Sequence, residues 1–137
     1  MPDWWMNDDQ PRSPIPGELP PGVDAFEAPH PFLLHTLLVY HRTLISTGWH
    51  PRVLILRLAR VPYLDARGAR AVAMLSLLCR QRRTLLLLSD VRPEVWRGLG
   101  RQGVLDEIGP GNILTRWQAA LDRAREFLGQ DGTSGPV

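Results

Sequence analysis

The chain is 137 residues long, enough for one domain with its own core and too short for two ordinary ones. Its 44% hydrophobic and 22% charged residues are typical of a folded protein, and its single cysteine excludes an internal disulfide and a multi-cysteine metal site. Every basic residue is arginine, which excludes lysine-dependent catalysis, and because the arginines are scattered, the net charge of +2 does not indicate nucleic-acid binding.

Residues 1–17 are predicted to form a flexible leader that is acidic and rich in proline, which removes the backbone donors that helices and central strands require. The leader lacks the basic start and apolar run of a secretory signal, and no stretch of the chain approaches the roughly 18 apolar residues of a membrane span. We therefore expect a cytoplasmic protein without direct membrane insertion. The only apolar cluster of the leader is Trp4, Trp5 and Met6, which fits a docking element and an incidental start region equally well.

The chain from residue 18 to residue 129 is predicted to be one α/β domain that begins with a short strand, Val23–Ala28. After a break at two prolines, a helix is predicted over Leu34–Thr47, and Gly48 ends it. Six residues of this helix are predicted to lie near one face: Leu34, Leu37, Leu38, His41, Leu44 and Ile45.

An unbroken apolar run over Arg52–Leu58 predicts a strand that is covered on both faces, as in a parallel sheet. A helix is predicted from about Ala66 to Arg82, with Asp65 as its N-cap residue. Its apolar stripe is Val72, Leu75, Leu78 and Cys79. A second apolar strand follows at Thr84–Ser89, so the two strands and the helix form a right-handed crossover in a parallel sheet.

A short helix is predicted over Glu94–Gln102, with Val95 and Leu99 buried. Pro93 suits the first residue of this helix and Gly103 suits its end.

The last helix is predicted to start at Thr115, with Gln118 completing a capping box. Its buried face is Trp117, Leu121, Ala124 and Leu128. Residues 130–137 are predicted to be a flexible tail. The predicted fold class is therefore α/β, with about four mostly parallel strands and four helices.

No group of residues in the sequence indicates catalysis, a cofactor or a metal. The stretch Gly98–Gly103 spells G-x-G-x-x-G, but it closes a predicted helix, whereas the dinucleotide-binding motif lies between a strand and a helix. Cys79 is predicted to be a small core residue, and Asp106 and Glu107 are placed in a solvated loop. The histidines include no pair with the spacing of helical metal ligands: His30, His35, His41 and His50.

The start of the long helix is the candidate site. Free backbone amides at a helix N-terminus beyond a sheet strand favour an anion or a modified side chain. The arginines there are explained either by solvation or by contact with a partner. The candidate partner-binding residues are Asp65, Ala66, Arg67, Gly68 and Arg70.

Several segments, in their order and spacing, are similar to the motifs of one family. Leu19–Val23 resembles an LPPGV motif, and Pro31–Leu33 resembles a Gly-Pro-Phe-Phe stretch. Val53–Leu58 and Val61–Ala66 resemble a central strand and the loop into the main helix, and segments between 91 and 113 resemble a later helix and loop. Over residues 18–128, the chain thus resembles a STAS domain, the module of anti-sigma factor antagonists and of sulfate permease (SulP) anion transporters, and the SulP branch fits better.

The chain departs from this family at two places. Phosphorylation-switched STAS domains carry serine or threonine just before the helix glycine, where this chain has Arg67 before Gly68, so a phosphorylation switch at that position is not expected. His30 and His35 stand where SulP relatives have glycine.

The resemblance implies a non-enzymatic regulatory and protein-interaction module of the SulP type, located in the cytoplasm or at the inner face of the membrane. The alternative that it leaves open is a regulator similar to anti-sigma factor antagonists, without a phosphorylatable residue. The implied partners are the membrane part of an anion transporter, another cytoplasmic regulatory protein, or a second copy of the chain.

Overall fold

The computed structural model describes residues 19–48 and 50–134. The predicted leader and the last three residues of the predicted tail lie outside the described residues. Side chains are described over most of these ranges, but not those of His41, Leu44 and Ile45.

The described residues form a three-stranded parallel sheet in the order β1-β2-β3. The strands are β1, Val23–Glu27, β2, Val53–Arg57, and β3, Leu85–Ser89. The predicted class is confirmed, but the count of four strands is too high. A fourth segment contributes only one parallel bridge, Leu88 to Ile113, because a 3₁₀ turn at Pro110–Asn112 directly precedes it.

Five helices surround the sheet in the described part of the chain, against four predicted. They are α1, Leu34–Thr47, α2, Ala66–Gln81, α3, Pro93–Arg101, α4, Val104–Ile108, and α5, Trp117–Ser134. The helix missed by the sequence is α4, so the prediction that Asp106 and Glu107 lie in a loop is wrong. Gly103 separates α3 from α4 by adopting a left-handed conformation, φ 73°, that glycine tolerates without strain.

The last helix begins two residues later than predicted. The Ala120 amide donates to the Arg116 carbonyl, and the Gln118 side chain donates to Asp122 at 3.0 Å. Gln118 is thus engaged further along the helix, and the predicted capping box with Thr115 is wrong. The helix α5 continues through Ser134, past the predicted domain boundary at residue 129, which itself stays a prediction.

The core lies on both faces of the sheet. Leu54 and Leu56 of the central strand pack in the cluster that α2 contributes to, whereas Val53 and Ile55 pack in the cluster on the α5 side. This alternation confirms that β2 is covered on both faces. Eleven residues predicted to be buried or to line an apolar face are at least partly buried: Leu37, Val72, Leu75, Leu78, Cys79, Val95, Leu99, Trp117, Leu121, Ala124 and Leu128.

The outer side of α1 differs from its prediction. Leu37 is buried, but Leu34 and Leu38 remain 40% and 46% exposed. Helical spacing placed all three near one face, whereas the core reaches only the part of that face on which Leu37 lies.

Candidate partner-binding surface

The loop that follows β2 positions the start of α2. Val61 and Leu64 anchor this loop because both side chains are buried. Gly98 of α3 packs directly on it, since a Cβ atom at position 98 would lie 2.4 Å from the Leu64 carbonyl oxygen. The first glycine of the G-x-G-x-x-G stretch therefore serves close contact between a helix and a backbone, and the stretch lies at the end of α3, as predicted.

Asp65 is the N-cap residue of α2, as predicted. Its Oδ1 accepts a hydrogen bond from the Gly68 backbone amide at 3.0 Å. This bond holds the pKa of Asp65 below its ordinary value; desolvation opposes the shift and Arg67 adds to it. The cap thus satisfies one of the free amides of the helix start and leaves a carboxylate at the surface.

Arg67 lies beside this cap and donates to Asp65 Oδ2 at 3.2 Å. The arginine side chain is 71% exposed and the aspartate side chain 49% exposed. An ion pair this exposed contributes little to stability because solvent screens it, so the guanidinium can exchange Asp65 for another anion. Asp65 was predicted as the N-cap residue of the site, but its ion pair with Arg67 was not predicted.

A groove of about 280 Å³ opens next to the helix start. Its walls include His30, Phe32, Tyr63 and Arg67. The His30 ring meets the Tyr63 ring edge to face, with centroids 5.3 Å apart, and Tyr63 is 55% exposed. The structure therefore adds an aromatic wall to the predicted site, in which His30 and Phe32 come from a segment distant in sequence and Tyr63 from the loop before α2.

Four of the five predicted site residues lie at the surface. Asp65, Ala66, Arg67 and Arg70 are exposed, whereas Gly68 is buried. Gly68 touches the loop instead, since a Cβ atom there would meet Leu64 at 2.7 Å. Its role is packing, which brings the helix start against the groove. The sequence did point to this wall, because His30 and His35 stand where SulP relatives have glycine. Of these two histidines, only His30 lines the groove.

The histidine and cysteine residues considered as metal ligands or nucleophiles form no second site in the described part of the chain. Among the described residues, no group of three or more metal-ligating side chains exists. The His50 ring contacts the Arg82 carbonyl at the end of α2. Cys79 is buried, and burial raises the pKa of its thiol to about 12, so it is the core residue that was predicted.

A partly buried charged cluster at the carboxyl ends of the strands was not predicted. Glu27, Arg57 and Ser89 end β1, β2 and β3 in one row of the sheet. The Arg57 Nε atom lies 3.0 Å from Asp90 Oδ2 and 3.7 Å from Glu27 Oε1, and its guanidinium lies 5.6 Å from the centre of a Trp117 ring. These groups are far apart in sequence, so only the strand register brings them together.

No helix within the described ranges is long and apolar enough to cross a membrane.

The fold and the helix start define a class: a small parallel α/β domain with a capped, exposed helix start beside the central strand. The chain belongs to the STAS domain family, because the family model of the STAS domain matches residues 19–120. The predicted family is thereby confirmed.

The relatives include transporter proteins. The chain is 31% identical over 122 residues to solute carrier family 26 member 10 of Mus musculus, a match that covers 82% of this chain and 18% of that protein. It is 30% identical to a sulfate transporter family protein from Wolinella succinogenes, with a TM-score of 0.75 over 82% of this chain and 93% of that one. The STAS domain of a SulP transporter from Vibrio cholerae gives the same TM-score at 24% identity, over 82% of this chain and 88% of that one. This chain is therefore homologous to the STAS domains of such transporters and spans less than a fifth of the curated relative.

A further solved structure shares the fold. RsbS from Moorella thermoacetica has a TM-score of 0.64 at 15% identity, over 83% of this chain and 97% of that one. At that identity, the likeness shows the fold alone.

Proposed function

We propose that this chain is a non-enzymatic regulatory and protein-interaction domain of the SulP type, which acts at the cytoplasmic face of the membrane by docking on the membrane part of an anion transporter. The observation that carries the proposal is the identity of 30% to a sulfate transporter family protein, spread over 82% of this chain. The proposal concerns the domain and not transport, because the chain matches only 18% of its transporter relative in mouse.

The helix start of α2 is the proposed contact with the partner. Arg67 and Arg70 are exposed on successive turns, and the groove beside them supplies the Tyr63 ring. A guanidinium can bind a carboxylate or a phosphate through two parallel hydrogen bonds, and an adjacent aromatic ring adds apolar contact area. An acidic segment of a partner therefore fits this surface best.

Binding to a transporter's membrane part tests the proposal. A SulP membrane region without its own STAS domain is reconstituted in nanodiscs, and calorimetry measures its affinity for this chain. We expect Arg67→Ser to weaken binding by about 1–3 kcal/mol, the value of a lost hydrogen bond to a charged group. Arg125→Ser on α5, where the side chain is 53% exposed, is the matched control and should bind like the parent. Absence of binding by the parent chain would contradict the proposal, and equal affinity of the Arg67→Ser variant would remove the helix start from it.

The second candidate is a regulator that binds an anti-sigma factor. The fold shared with RsbS favours it. Arg67 and Asp65 at the helix start carry no hydroxyl group, so binding in this case runs without phosphorylation at that position.

Incubation with an anti-sigma kinase and ATP tests whether this second candidate runs without phosphorylation at position 67. We expect the intact mass of the chain to stay unchanged, because arginine occupies position 67. Arg67→Ser is the informative comparison, since it restores a hydroxyl before the helix glycine. A phosphate mapped to residues 64–71 of the parent would contradict the expectation.

A further inference from the structure

The exposed apolar side chains of the domain are confined to one layer. In the described part of the chain, the large apolar side chains at the surface all belong to α1, to α2 or to the loop before α2. They are Leu34, Leu38, Tyr63, Met74 and Leu77. None lies on α3, α4 or the described part of α5. Scattered exposed leucines need no explanation, but these side chains all lie on two packed helices and the loop before the second, which makes this layer the candidate interaction surface.

One line of side chains dominates this layer. Arg67, Arg70, Met74 and Leu77 follow each other at intervals of three or four residues, which places them on the outer face of α2. We call these four residues the α2 outer stripe. Arg67 also lines the groove, so the stripe and the groove form one continuous surface.

The stripe carries positive charge without compensation on its own helix. Helix α2 contains no acidic residue. Arg67 pairs with its cap and Arg80 pairs with Glu107, whereas Arg70 makes no ion pair within the described ranges. The surface therefore fits a partner that is both acidic and apolar.

The chain itself contains such a segment. Residues 3–9 combine three aspartates with Trp4, Trp5 and Met6; we call this segment the acidic arm. Tryptophan rings bury a large apolar area and also stack on arginine, and the aspartates oppose the charge of the stripe. We propose that the acidic arm docks on the α2 outer stripe and the groove of its own chain.

The connection is long enough for this contact. Leu19 packs on the α5 side of the sheet, opposite α2. Thirteen residues lead from Met6 to Leu19, several of them proline, and an extended proline-rich chain spans about 3.1 Å per residue, roughly 40 Å in total. Crossing from one outer layer to the other requires on the order of 20 Å, since packed layers lie about 10 Å apart.

Photocrosslinking in the full chain tests the proposal. Leu77 is replaced by p-benzoylphenylalanine, and mass spectrometry identifies the peptide to which it crosslinks. We expect the peptide that contains Trp4 to Met6. The control carries the probe at Asp122, which is exposed on α5, and should give little of this product.

Charge substitutions make the test specific. Arg70→Glu should lower the crosslink yield by up to about fivefold, the factor at the upper end of the range for one exposed charge pair. Adding Asp8→Arg and Asp9→Arg to Arg70→Glu should restore the crosslink yield. The two aspartate substitutions without Arg70→Glu should lower the yield. Thermal melts of each variant establish that the fold is retained.

Further measurements show whether the stripe binds a second copy of the chain or a membrane surface instead of the arm. A mixture of ¹⁴N and ¹⁵N chains gives mixed crosslinks if the arm of a second copy binds, and this result would overturn docking within one chain. Binding of the chain to anionic vesicles that is unchanged by Trp4→Ser and Trp5→Ser, without a crosslink to residues 1–18, would assign the stripe to a membrane surface instead. Equal arm crosslinks from positions 77 and 122 would also overturn the proposal.

Discussion

Glu27 shows how a single residue couples this fold to pH. Its side chain is 3% exposed, and neither carboxylate oxygen accepts a hydrogen bond from the described residues. Burial raises the pKa of Glu27 to about 7, while Arg57 and Arg60 lower it and Asp90 raises it further. The Arg57 guanidinium is shared with Asp90 at a shorter distance, which explains why it does not fully offset the burial of Glu27.

The unfolding free energy is expected to fall as the pH rises from about 4.5 to about 7. The ordinary pKa of Glu27 is 4.5 and its pKa in the fold is about 7, so the folded state favours the protonated form. The stabilisation is therefore complete below pH 4.5, declines as the pH rises towards 7, and is fully lost above about pH 7, by at most about 3 kcal/mol.

Urea unfolding at pH 5 to 8.5 measures this dependence. The difference in unfolding free energy between the parent and Glu27→Gln should change with pH in the stated direction. Glu126→Gln, at a side chain 60% exposed, serves as the control and should keep a nearly constant difference. A constant difference for Glu27→Gln as well would show that Glu27 does not titrate in this range.

At the scale of the elements, close contacts between neighbouring segments determine how the site is positioned. The central strand β2 supplies core residues to both faces, and the loop behind it carries Leu64, on which α2 and α3 both pack. Substitutions at two positions distinguish the role of the central strand from that of the loop contact. Ile55 belongs to the strand, and Gly98 belongs to the contact between α3 and the loop.

Replacing Ile55 with aspartate should abolish the cooperative fold. Ile55 is fully buried, so the new charge has no solvent and no partner, which removes most of a stability of roughly 5–15 kcal/mol. Thermal melts followed by circular dichroism measure the effect. Met74→Asp, at an exposed position of α2, is the control and should melt near the parent temperature. A parent-like melt of Ile55→Asp would contradict its place in a covered central strand.

Gly98→Ala should destabilise the domain by about 1–3 kcal/mol, because the new methyl group overlaps the Leu64 carbonyl and forces α3 away from the loop. Gly100→Ala in the same helix is the matched control. There a Cβ atom meets only the end of the Leu105 side chain, at 3.2 Å, and alanine has the higher helix propensity. Chemical unfolding measures the unfolding free energy of both variants. Equal stabilities would refute the packing role of Gly98.

At the scale of the whole molecule, charge is divided between the front of the chain and its body. Acidic residues predominate in residues 1–31, whereas the rest is basic and contains arginine alone as its cation. Helix α2 concentrates this imbalance, with three arginines and no acid. The molecule thus presents a basic layer that suits acidic segments, whether its own arm or those of a partner.

The predicted domain boundaries lead to an order of proteolysis. We expect trypsin to cut first after Arg12, which precedes the domain, and only later within the helices, whose backbone is held by hydrogen bonds. Mass spectrometry of a short digestion identifies the first product, which should begin at Ser13. An initial cut within α2 or α5 would contradict the proposed boundary at residue 18.

Local sequence patterns were sufficient for much of the fold. The apolar runs predicted β2 and β3 because a strand covered on both faces cannot alternate, and Asp65 was identified as a cap because a carboxylate before a helix satisfies free amides. The helix start at Thr115 was misplaced because a capping box depends on side-chain geometry, and the Gln118 side chain donates to Asp122 instead.

By itself, the sequence determined the α/β class, the family and the start of α2, since each depends on residues close together in the chain. Only the tertiary structure decided which distant residues meet. Strand register places Glu27 beside Arg57, and loop packing places His30 against Tyr63. The same holds for exposure: Leu34 and Leu37 lie near one helical face, but the shape of the core buries only Leu37. These outcomes follow from contacts made after the elements assemble, for which local periodicity carries no information.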